Sequence, residues 1–229
     1  AAALSKSGLK VGILDADIYG PSQPKIMGVH GKPKIGGADG KSILPLHGYG
    51  ITLMSMGFLV DADEAVVWRG PMLMGALQQF MGQVDWGELD VLLIDLPPGT
   101  GDVQLTLAQK CELDGAIIVS TPQDVALIDA KKAMQMFYKL NIPLLGMVEN
   151  MSTHVCPNCG YEEHMFGKGG VQAEAKKAQL DFLGAIPLDI EVRKSSDFGK
   201  PVVFSNFECS QSEAFKQIAN KLADKLHIS

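Results

Sequence analysis

The stretch VLLIDLPPGTGD, residues 91–102, joins an apolar run that ends in an aspartate to a loop with two prolines and two glycines. An acid at the carboxyl end of a buried strand, followed by a glycine-bearing loop, is what a nucleotide hydrolase uses to hold Mg²⁺ and sense a terminal phosphate. The stretch therefore predicts a parallel strand whose last residue, Asp95, faces a ligand.

Six short apolar runs, including this one, are candidate strands. Most are continuously apolar, which favours strands buried on both faces of a parallel sheet. Helical patterns separate them, one predicted over roughly 71–82 and one opened by Thr121 and Pro122. The alternation predicts an α/β fold, doubly wound, with a mostly parallel sheet flanked by helices and ligands beyond the carboxyl ends of the strands. The runs are 10–15, 51–56, 91–95, 115–120, 143–150 and 181–186.

Two of the predicted helices carry readable side-chain patterns. The helix after Pro122 has apolar residues at helical spacing, and the last helix is predicted to begin with a capping box of Ser210 and Glu213. The segment 31–50, rich in glycine and proline, is interpreted as an excursion from the sheet. The two apolar sets are Val125, Ile128, Ala133, Met134 and Phe137 in the first helix, and Phe215, Ile218, Ala219, Leu222 and Leu226 in the last.

The composition limits the class of protein. With 229 residues, 46% hydrophobic and 20% charged, the chain can bury one sizeable core, and we expect a single domain over residues 1–229. A net charge of −6 and a pI near 5.3 argue against a nucleic-acid partner. No apolar run approaches the roughly 20 residues that cross a bilayer, so we expect no membrane partner. Four cysteines without a disulfide pattern suit a reducing compartment, and we expect a cytoplasmic protein.

The phosphate-binding loop that normally accompanies such an acid is absent from residues 1–229. The nearest match, GKGGVQAEAKK at 167–177, fails after Val171, because Gln172, Ala173 and Glu174 stand where glycine, lysine and a hydroxyl are needed. A carboxylate there would repel phosphate. We interpret this segment as a loop that leads into a helix.

The opening AAALSKSG has the pattern of the last turns of a helix that ends at Gly8. A doubly wound nucleotide-binding fold normally has a strand and a phosphate loop before that helix. We therefore expect the first strand and the phosphate loop upstream of Ala1.

Cys156 and Cys159 form a CxxC pair that can bind one metal centre together. Zn²⁺ or an iron–sulfur cluster generally takes four ligands, so the pair supplies half of a site. His154 or His164 could complete a zinc site within the chain, or a second copy could supply two more thiolates across a two-fold axis. The remaining cysteines, 111 and 209, are isolated and are predicted to be small buried residues.

These residues resemble the Mrp (ApbC-like) iron–sulfur cluster carriers, a family of deviant-Walker P-loop ATPases related to MinD, ParA and the nitrogenase iron protein. The resemblance covers essentially the whole chain, but residues 1–229 lack the KGGxGK motif of the family. It rests on the motifs at 14–28, 54–60, 68–72, 85–90, 95–102, 120–130, 149–152, 156–160 and 186–189.

The resemblance implies roles for individual residues. Asp95 would be the Walker B acid beside Mg²⁺, Asp17 would position the attacking water, and Asp15 would lie on the magnesium side. Gly99 and Asp102 would belong to the switch loop that follows Asp95. Three further residues would bind the adenine base or line its pocket: Asn150, Pro187 and Asp189.

The resemblance also implies an ATPase that carries a labile 4Fe-4S cluster between two copies of the chain, held by Cys156 and Cys159 of each. Apo iron–sulfur proteins and cluster-assembly proteins would be its partners. The alternative is a MinD-like or ParA-like positioning ATPase with a structural Zn²⁺ knuckle. Its last helix would bind a membrane through Lys216, Lys221 and Lys225, or its surface would bind DNA. A nucleotide-independent scaffold is a third interpretation.

Overall fold

The computed structural model describes residues 1–37, 40–59 and 70–228. The motifs at 54–60 and 68–72 extend into residues 60–69, which lie outside the described part. The strands are β1 Val11–Asp15, β2 Lys34–Gly36, β3 Ser42–Leu44, β4 Leu46–Gly48, β5 Ile51–Ser55, β6 Val91–Asp95, β7 Ala116–Ser120, β8 Leu144–Glu149, β9 His154–Val155, β10 Glu162–Glu163 and β11 Phe182–Ala185. The helices are α1 Ala2–Lys6, α2 Gln23–Ile26, α3 Gly70–Gln83, α4 Asp102–Lys110, α5 Asp124–Lys139, α6 Gly170–Lys177, α7 Ile190–Asp197, α8 Val202–Ser205 and α9 Ser210–Leu226.

The chain divides into two compact units. Unit 1 comprises Ala1–Leu107 and Ser195–Ser205, and unit 2 comprises Ala108–Lys194 and Asn206–Ser229. Each unit is therefore built from two separate segments of sequence. That residues 1–229 form one domain whose first strand lies upstream stays a prediction.

Unit 1 contains a four-stranded sheet in the order β4-β5-β1-β6. The pairs β5–β1 and β1–β6 are parallel, and only β4 runs antiparallel to its neighbour. Every residue of β1 and β5 is buried, as expected for continuously apolar strands covered on both faces. By contrast β6, equally apolar, is half-buried along its length and pairs with β1 alone among the described strands.

Unit 2 contains a parallel sheet in the order β11-β8-β7. Helix α5 packs on β7, α6 on β8 and α9 on β11. Its core includes Val148, Leu183 and Ile186, against which Phe215 and Ile218 of α9 pack. The main sheet of each unit is mostly parallel, so the prediction of a doubly wound, mostly parallel α/β fold is confirmed.

All six predicted strands are present within a residue or two of their expected bounds, and the helices expected near 71–82 and after Pro122 are α3 and α5. The chain at 167–177 is a loop that leads into α6, as expected. Helix α1 ends at Lys6 and Gly8 follows with φ +97°, as the opening pattern predicted.

Two details of the helix predictions were wrong. The final helix is capped by Cys209, whose sulfur accepts the backbone N–H of Ser212, and not by Ser210. In α5, Val125 and Ile128 are exposed, because Leu127 and Ala130 turn inward instead. The excursion at 31–50 also contains the strands β2, β3 and β4, each of three residues and so too short to show a periodic pattern.

Two glycines bring distant segments of unit 1 into direct backbone contact. Gly28 follows α2, Gly199 follows α7, and both have positive φ, +60° and +67°. A Cβ on Gly199 would lie 2.5 Å from the Gly28 Cα, and a Cβ on Gly28 would lie 2.5 Å from the Gly199 carbonyl oxygen. Beside this crossing, the ring of Tyr49 stacks on Phe204 with centroids 4.7 Å apart, and its hydroxyl donates to the Gly199 carbonyl.

Candidate functional site

The carboxyl ends of three parallel strands of unit 1 form a row of polar side chains. Asp15 ends β1 and is paired in register with Ser55 of β5 on one side and Asp95 of β6 on the other. The sequence predicted Asp15 and Asp95 at this edge, and the structure brings them together. Ser55 was missed, although a serine near the end of the apolar run at 51–56 was the available signal.

The Asp15 carboxylate is fully buried and surrounded by donors. Its Oδ1 accepts the Asp17 N–H at 3.3 Å, and its Oδ2 accepts the Gln23 N–H at 3.2 Å and the Ser55 hydroxyl at 2.9 Å. Burial raises the pKa of Asp15 above its ordinary value, these hydrogen bonds oppose the rise, and the nearby charge of Asp95 adds to it. Both oxygens of Asp15 therefore accept hydrogen bonds from protein groups, and these bonds fix the residues that surround the carboxylate.

Asp17 lies two residues beyond the end of β1 and is half-buried. Its Oδ1 accepts the backbone N–H groups of Tyr19 and Gly20 at 3.1 and 3.2 Å. These bonds fold residues 17–20 into a tight turn, a use of aspartate that is common in loops. The role of Asp17 in positioning water stays a prediction.

Gln23, the first residue of α2, connects the two strand-end acids and was not singled out from the sequence. Its backbone N–H donates to Asp15, and its side-chain Nε2 donates to Asp95 Oδ2 at 2.7 Å. The described residues provide no donor to the second oxygen of Asp95. Asp95 is half-buried, and its second oxygen suits Mg²⁺, which binds through one or two carboxylates, water and substrate phosphates. Asp95 would hold the ion on this side, and the ion would supply charge neutralisation at a phosphate.

The loop after Asp95 is organised by Gln104 of α4, which is buried at 3% exposure. Its Nε2 donates to the carbonyl oxygens of Pro97 and Gly99 at 2.6 and 3.2 Å. Gly99 has φ +93°, which a side chain would strain. Among the described residues, Gln104 Oε1 is the buried side-chain oxygen or nitrogen without a hydrogen bond. Asp102 begins α4, and its proposed role in the switch is untested.

In unit 2 the predicted base-binding residues lie in and after the carboxyl ends of β8 and β11. Asn150 follows β8, is half-buried, and its Oδ1 accepts the backbone N–H of Met151 at 3.0 Å. Asp189 precedes α7, where its Oδ1 accepts the Glu191 N–H and its Oδ2 accepts the Gln211 amide. Asp189 thus has a structural task at the start of a helix. The assignment of Asn150, Pro187 and Asp189 to a nucleotide pocket remains a prediction.

The CxxC pair occupies the turn of a small antiparallel hairpin made by β9 and β10. Two backbone bonds close the turn, from Cys156 N–H to the Tyr161 carbonyl and from Gly160 N–H to the Cys156 carbonyl. Cys159 is exposed and Cys156 is half-buried, and both are free thiols. Backbone N–H groups of Asn158 and Cys159 lower the pKa of Cys156. The turn therefore favours a thiolate, the form that binds metal.

The two histidines beside this turn are directed elsewhere. His154 Nδ1 lies 3.3 Å from the Leu188 carbonyl oxygen, and His164 Nδ1 lies 3.1 Å from that of Ser152. Across residues 1–37, 40–59 and 70–228, no three His, Cys, Asp or Glu side chains gather as a metal site. Within the described chain, Cys156 and Cys159 thus have no third ligand beside them.

The lysines of α9 are held by neighbours within unit 2. Lys216 lies 3.5 Å from the centre of the Phe207 ring and pairs with Glu213. Lys221 donates to the Phe182 carbonyl, and Lys225 pairs with Asp181. In the part of the chain that the structure covers, no helix has the length and apolar character needed to cross a bilayer.

Comparison with known proteins gives consistent matches. A family model described as ParA, NUBPL iron-transfer P-loop NTPase, matches residues 1–223. The iron–sulfur cluster transfer protein NUBPL of Mus musculus is 47% identical over 229 residues, which is 100% of the chain and 71% of the mouse protein. The iron–sulfur cluster carrier protein of Pseudomonas fragi is 51% identical over 208 residues, covering 90% of the chain and 72% of that protein.

A solved structure shares both the fold and substantial sequence identity. The nucleotide-binding protein of Archaeoglobus fulgidus, in complex with ADP, is similar with a TM-score of 0.78 and 39% identity. The match covers 94% of the present chain and 83% of the archaeal one.

Proposed function

Because the chain belongs to the ParA-type family of NUBPL iron-transfer P-loop NTPases, we propose that it is an ATP-dependent iron–sulfur cluster carrier. Its cargo would be a labile 4Fe-4S cluster that it delivers to apoproteins. The observation that carries this proposal is the hairpin turn that presents Cys156 and Cys159 at the surface with thiolate-favouring backbone donors.

Two copies of the chain would share one cluster. A 4Fe-4S cluster takes four thiolates, and the turn supplies two. A homodimer with Cys156 and Cys159 of both copies at its two-fold axis provides the full set. Exposed apolar side chains flank the turn, as expected for a surface that a second copy covers. They are Met151, Val155, Tyr161 and Met165.

ATP hydrolysis would take place at the strand-end acids of unit 1. Asp95 would hold Mg²⁺, Asp15 would support that side, and Asp17 would orient the attacking water. Gly99 and Asp102 would respond to the γ-phosphate, and Asn150, Pro187 and Asp189 would receive the base. Because phosphoryl transfer depends chiefly on alignment and charge neutralisation, these roles require no covalent catalyst.

A strand that carries a phosphate loop would lie beside β6. Support comes from β6 itself, an apolar strand that is half-buried and has one neighbour among the described strands. Free thiols fit a reducing compartment, and we place the carrier in the cytoplasm with apo iron–sulfur and cluster-assembly proteins as partners.

Anaerobic reconstitution with iron and sulfide tests the cargo site. The wild type should become a brown dimer with about four iron and four sulfide per two chains, as four thiolates for one cluster require. Cys156→Ser and Cys159→Ser should each lose the cluster and the dimer. Cys111→Ser, an isolated cysteine in the same unit, is the matched control and should retain both.

Unchanged cluster content in both turn variants would refute the carrier proposal. Purification with one Zn²⁺ per two chains, resistant to iron and sulfide, would favour the positioning ATPase with a zinc knuckle instead. The structure gives no reason to prefer that rival, since the α9 lysines expected to meet a membrane have partners within unit 2.

A further inference from the structure

Gln23 holds an unusual position between the two acids at the strand ends. Its Nε2 donates to Asp95 Oδ2 at 2.7 Å across 72 positions of sequence, while its own backbone N–H donates to Asp15 Oδ2. Asp15 and Asp95 are paired directly in register on neighbouring strands. One residue of α2 therefore contacts both carboxylates.

The local chain places Gln23 for this contact. Pro24 follows it at the start of α2, where a fixed backbone angle suits the first turn of a helix. Ser22, at the cap position, makes no side-chain bond to the helix, and the Gln23 amide is directed to Asp95. A hydrogen bond to an ionised carboxylate is among the stronger kinds, so the contact holds the carboxylate in one orientation.

A carboxylate that approaches a metal ion with one oxygen is commonly held by a hydrogen bond to the other, and loss of that bond typically weakens metal binding about 10–100-fold. With Oδ2 bound by Gln23, Oδ1 of Asp95 is the oxygen left to face an ion. We propose that Gln23 is a positioning residue for Asp95, which orients its carboxylate toward the divalent cation of the nucleotide site. The assignment rests on the proposed nucleotide function and adds to it a residue that acts through Asp95.

The test is a titration of Mn²⁺, followed by the electron paramagnetic resonance signal of the free ion, with and without ATP. The expected result is a dissociation constant about 10–100-fold higher in Gln23→Leu than in the wild type, measured where urea unfolding shows both proteins to be folded. Gln23→Asn, one methylene too short to reach Asp95, should behave like Gln23→Leu. Gln78→Leu, at an exposed glutamine of α3, is the matched control and should bind as the wild type does.

A double-mutant cycle separates positioning from general structural support. In the Asp95→Asn background, Gln23→Leu should cause no further loss of Mn²⁺ affinity, because its effect passes through Asp95. Equal Mn²⁺ affinity of wild type and Gln23→Leu, or full additivity with Asp95→Asn, would overturn the proposal, as would failure of the wild type to bind Mn²⁺. If the wild type binds Mn²⁺ but not ATP, the ATPase proposal fails while the dissociation constants still decide the role of Gln23.

Discussion

The hydroxyl of Ser55 donates to Oδ2 of Asp15 at 2.9 Å, and both residues have 0% exposure at the ends of adjacent parallel strands. Ser55 Oγ also accepts the Gly57 N–H at 2.9 Å, so the hydroxyl is used twice. A buried carboxylate in this setting depends on such donors for its solvation.

Replacement of Ser55 by alanine should lower the free energy of unfolding by about 1.5–3 kcal/mol, the usual range for a hydrogen bond to a charged group. Urea unfolding at neutral pH measures the change. Ser7→Ala removes the hydroxyl of an exposed residue, which donates to the Ala3 carbonyl four residues earlier, and its effect should stay within about 0.5 kcal/mol. Equal effects of the two substitutions would contradict the importance of the buried bond.

The buried carboxyl of Asp15 should make stability fall with rising pH over a limited range. Burial raises its pKa above the ordinary value of 3.8, so between 3.8 and the raised pKa the folded protein holds a proton that the unfolded chain has lost. Stability attributable to Asp15 decreases across that range and is constant above it. The unfolding free energy of the wild type should therefore fall relative to that of Asp15→Asn as the pH rises through this range.

Asp181 provides a control of opposite sign. Its exposed carboxylate pairs with Lys225, which lowers the pKa of Asp181 below 3.8. The stability from that pair is present above 3.8 and is lost as pH falls through the lowered pKa, so Asp181→Asn should approach wild type in acid. Parallel pH profiles for the two variants would show that burial does not raise the pKa of Asp15.

Strand positions could be predicted from the sequence because the buried strands are unbroken apolar runs, as β1 and β5 illustrate. The acids Asp15 and Asp95 were predictable for the same reason, since each ends such a run. Gln23 could not be predicted, because its contact with Asp95 exists only after the loop between β1 and α2 has folded back over the strand ends. The two-residue strands beside Cys156 were also hidden, since so few residues show no periodicity.

In the metal-free protein, the turn that carries the CxxC pair should make the thiol of Cys156 more acidic than the thiol of Cys111. Backbone N–H groups of Asn158 and Cys159 lower the pKa of Cys156 below 9.0, whereas burial raises the pKa of Cys111 above 9.0. Since the thiolate is the nucleophile, the alkylation rate of Cys156 should rise with pH at a lower midpoint than that of Cys111. Mass spectrometry after timed iodoacetamide treatment gives both midpoints, and a shared midpoint would argue against the backbone donors.

The crossing of Gly28 and Gly199 should tolerate no side chain. Gly199→Ala adds a Cβ 2.5 Å from the Gly28 Cα at φ +67°, so overpacking of about 1–3 kcal/mol adds to backbone strain of about 1–2 kcal/mol. Gly40 has the same φ of +67° with open space around it, which makes Gly40→Ala a control for the strain alone. Unfolding free energies should separate the two variants, and similar losses would mean that the segments part easily.

Gln104 should govern the opening of the loop that follows Asp95. Gln104→Met removes the donors to Pro97 and Gly99 together with the unsatisfied Oε1, so hydrogen exchange across residues 96–105 should accelerate at little cost in global stability. Gln104→Glu places a carboxylate against two carbonyl oxygens and should destabilise the protein much more, by about 3 kcal/mol or above. Unchanged exchange in Gln104→Met would show that other contacts hold the loop.

The two sequence segments that form unit 1 leave the ribosome at different times. Residues 28 and 49 meet partners near residues 199 and 204, and these partners are translated roughly 150–170 positions later. A nascent chain with only Ala1–Leu107 outside the ribosome has its β-sheet strands but lacks the segment that closes over them. Unit 1 therefore cannot be completed until residues 195–205 have been translated, and until then its amino-terminal segment exposes surface that chaperones bind.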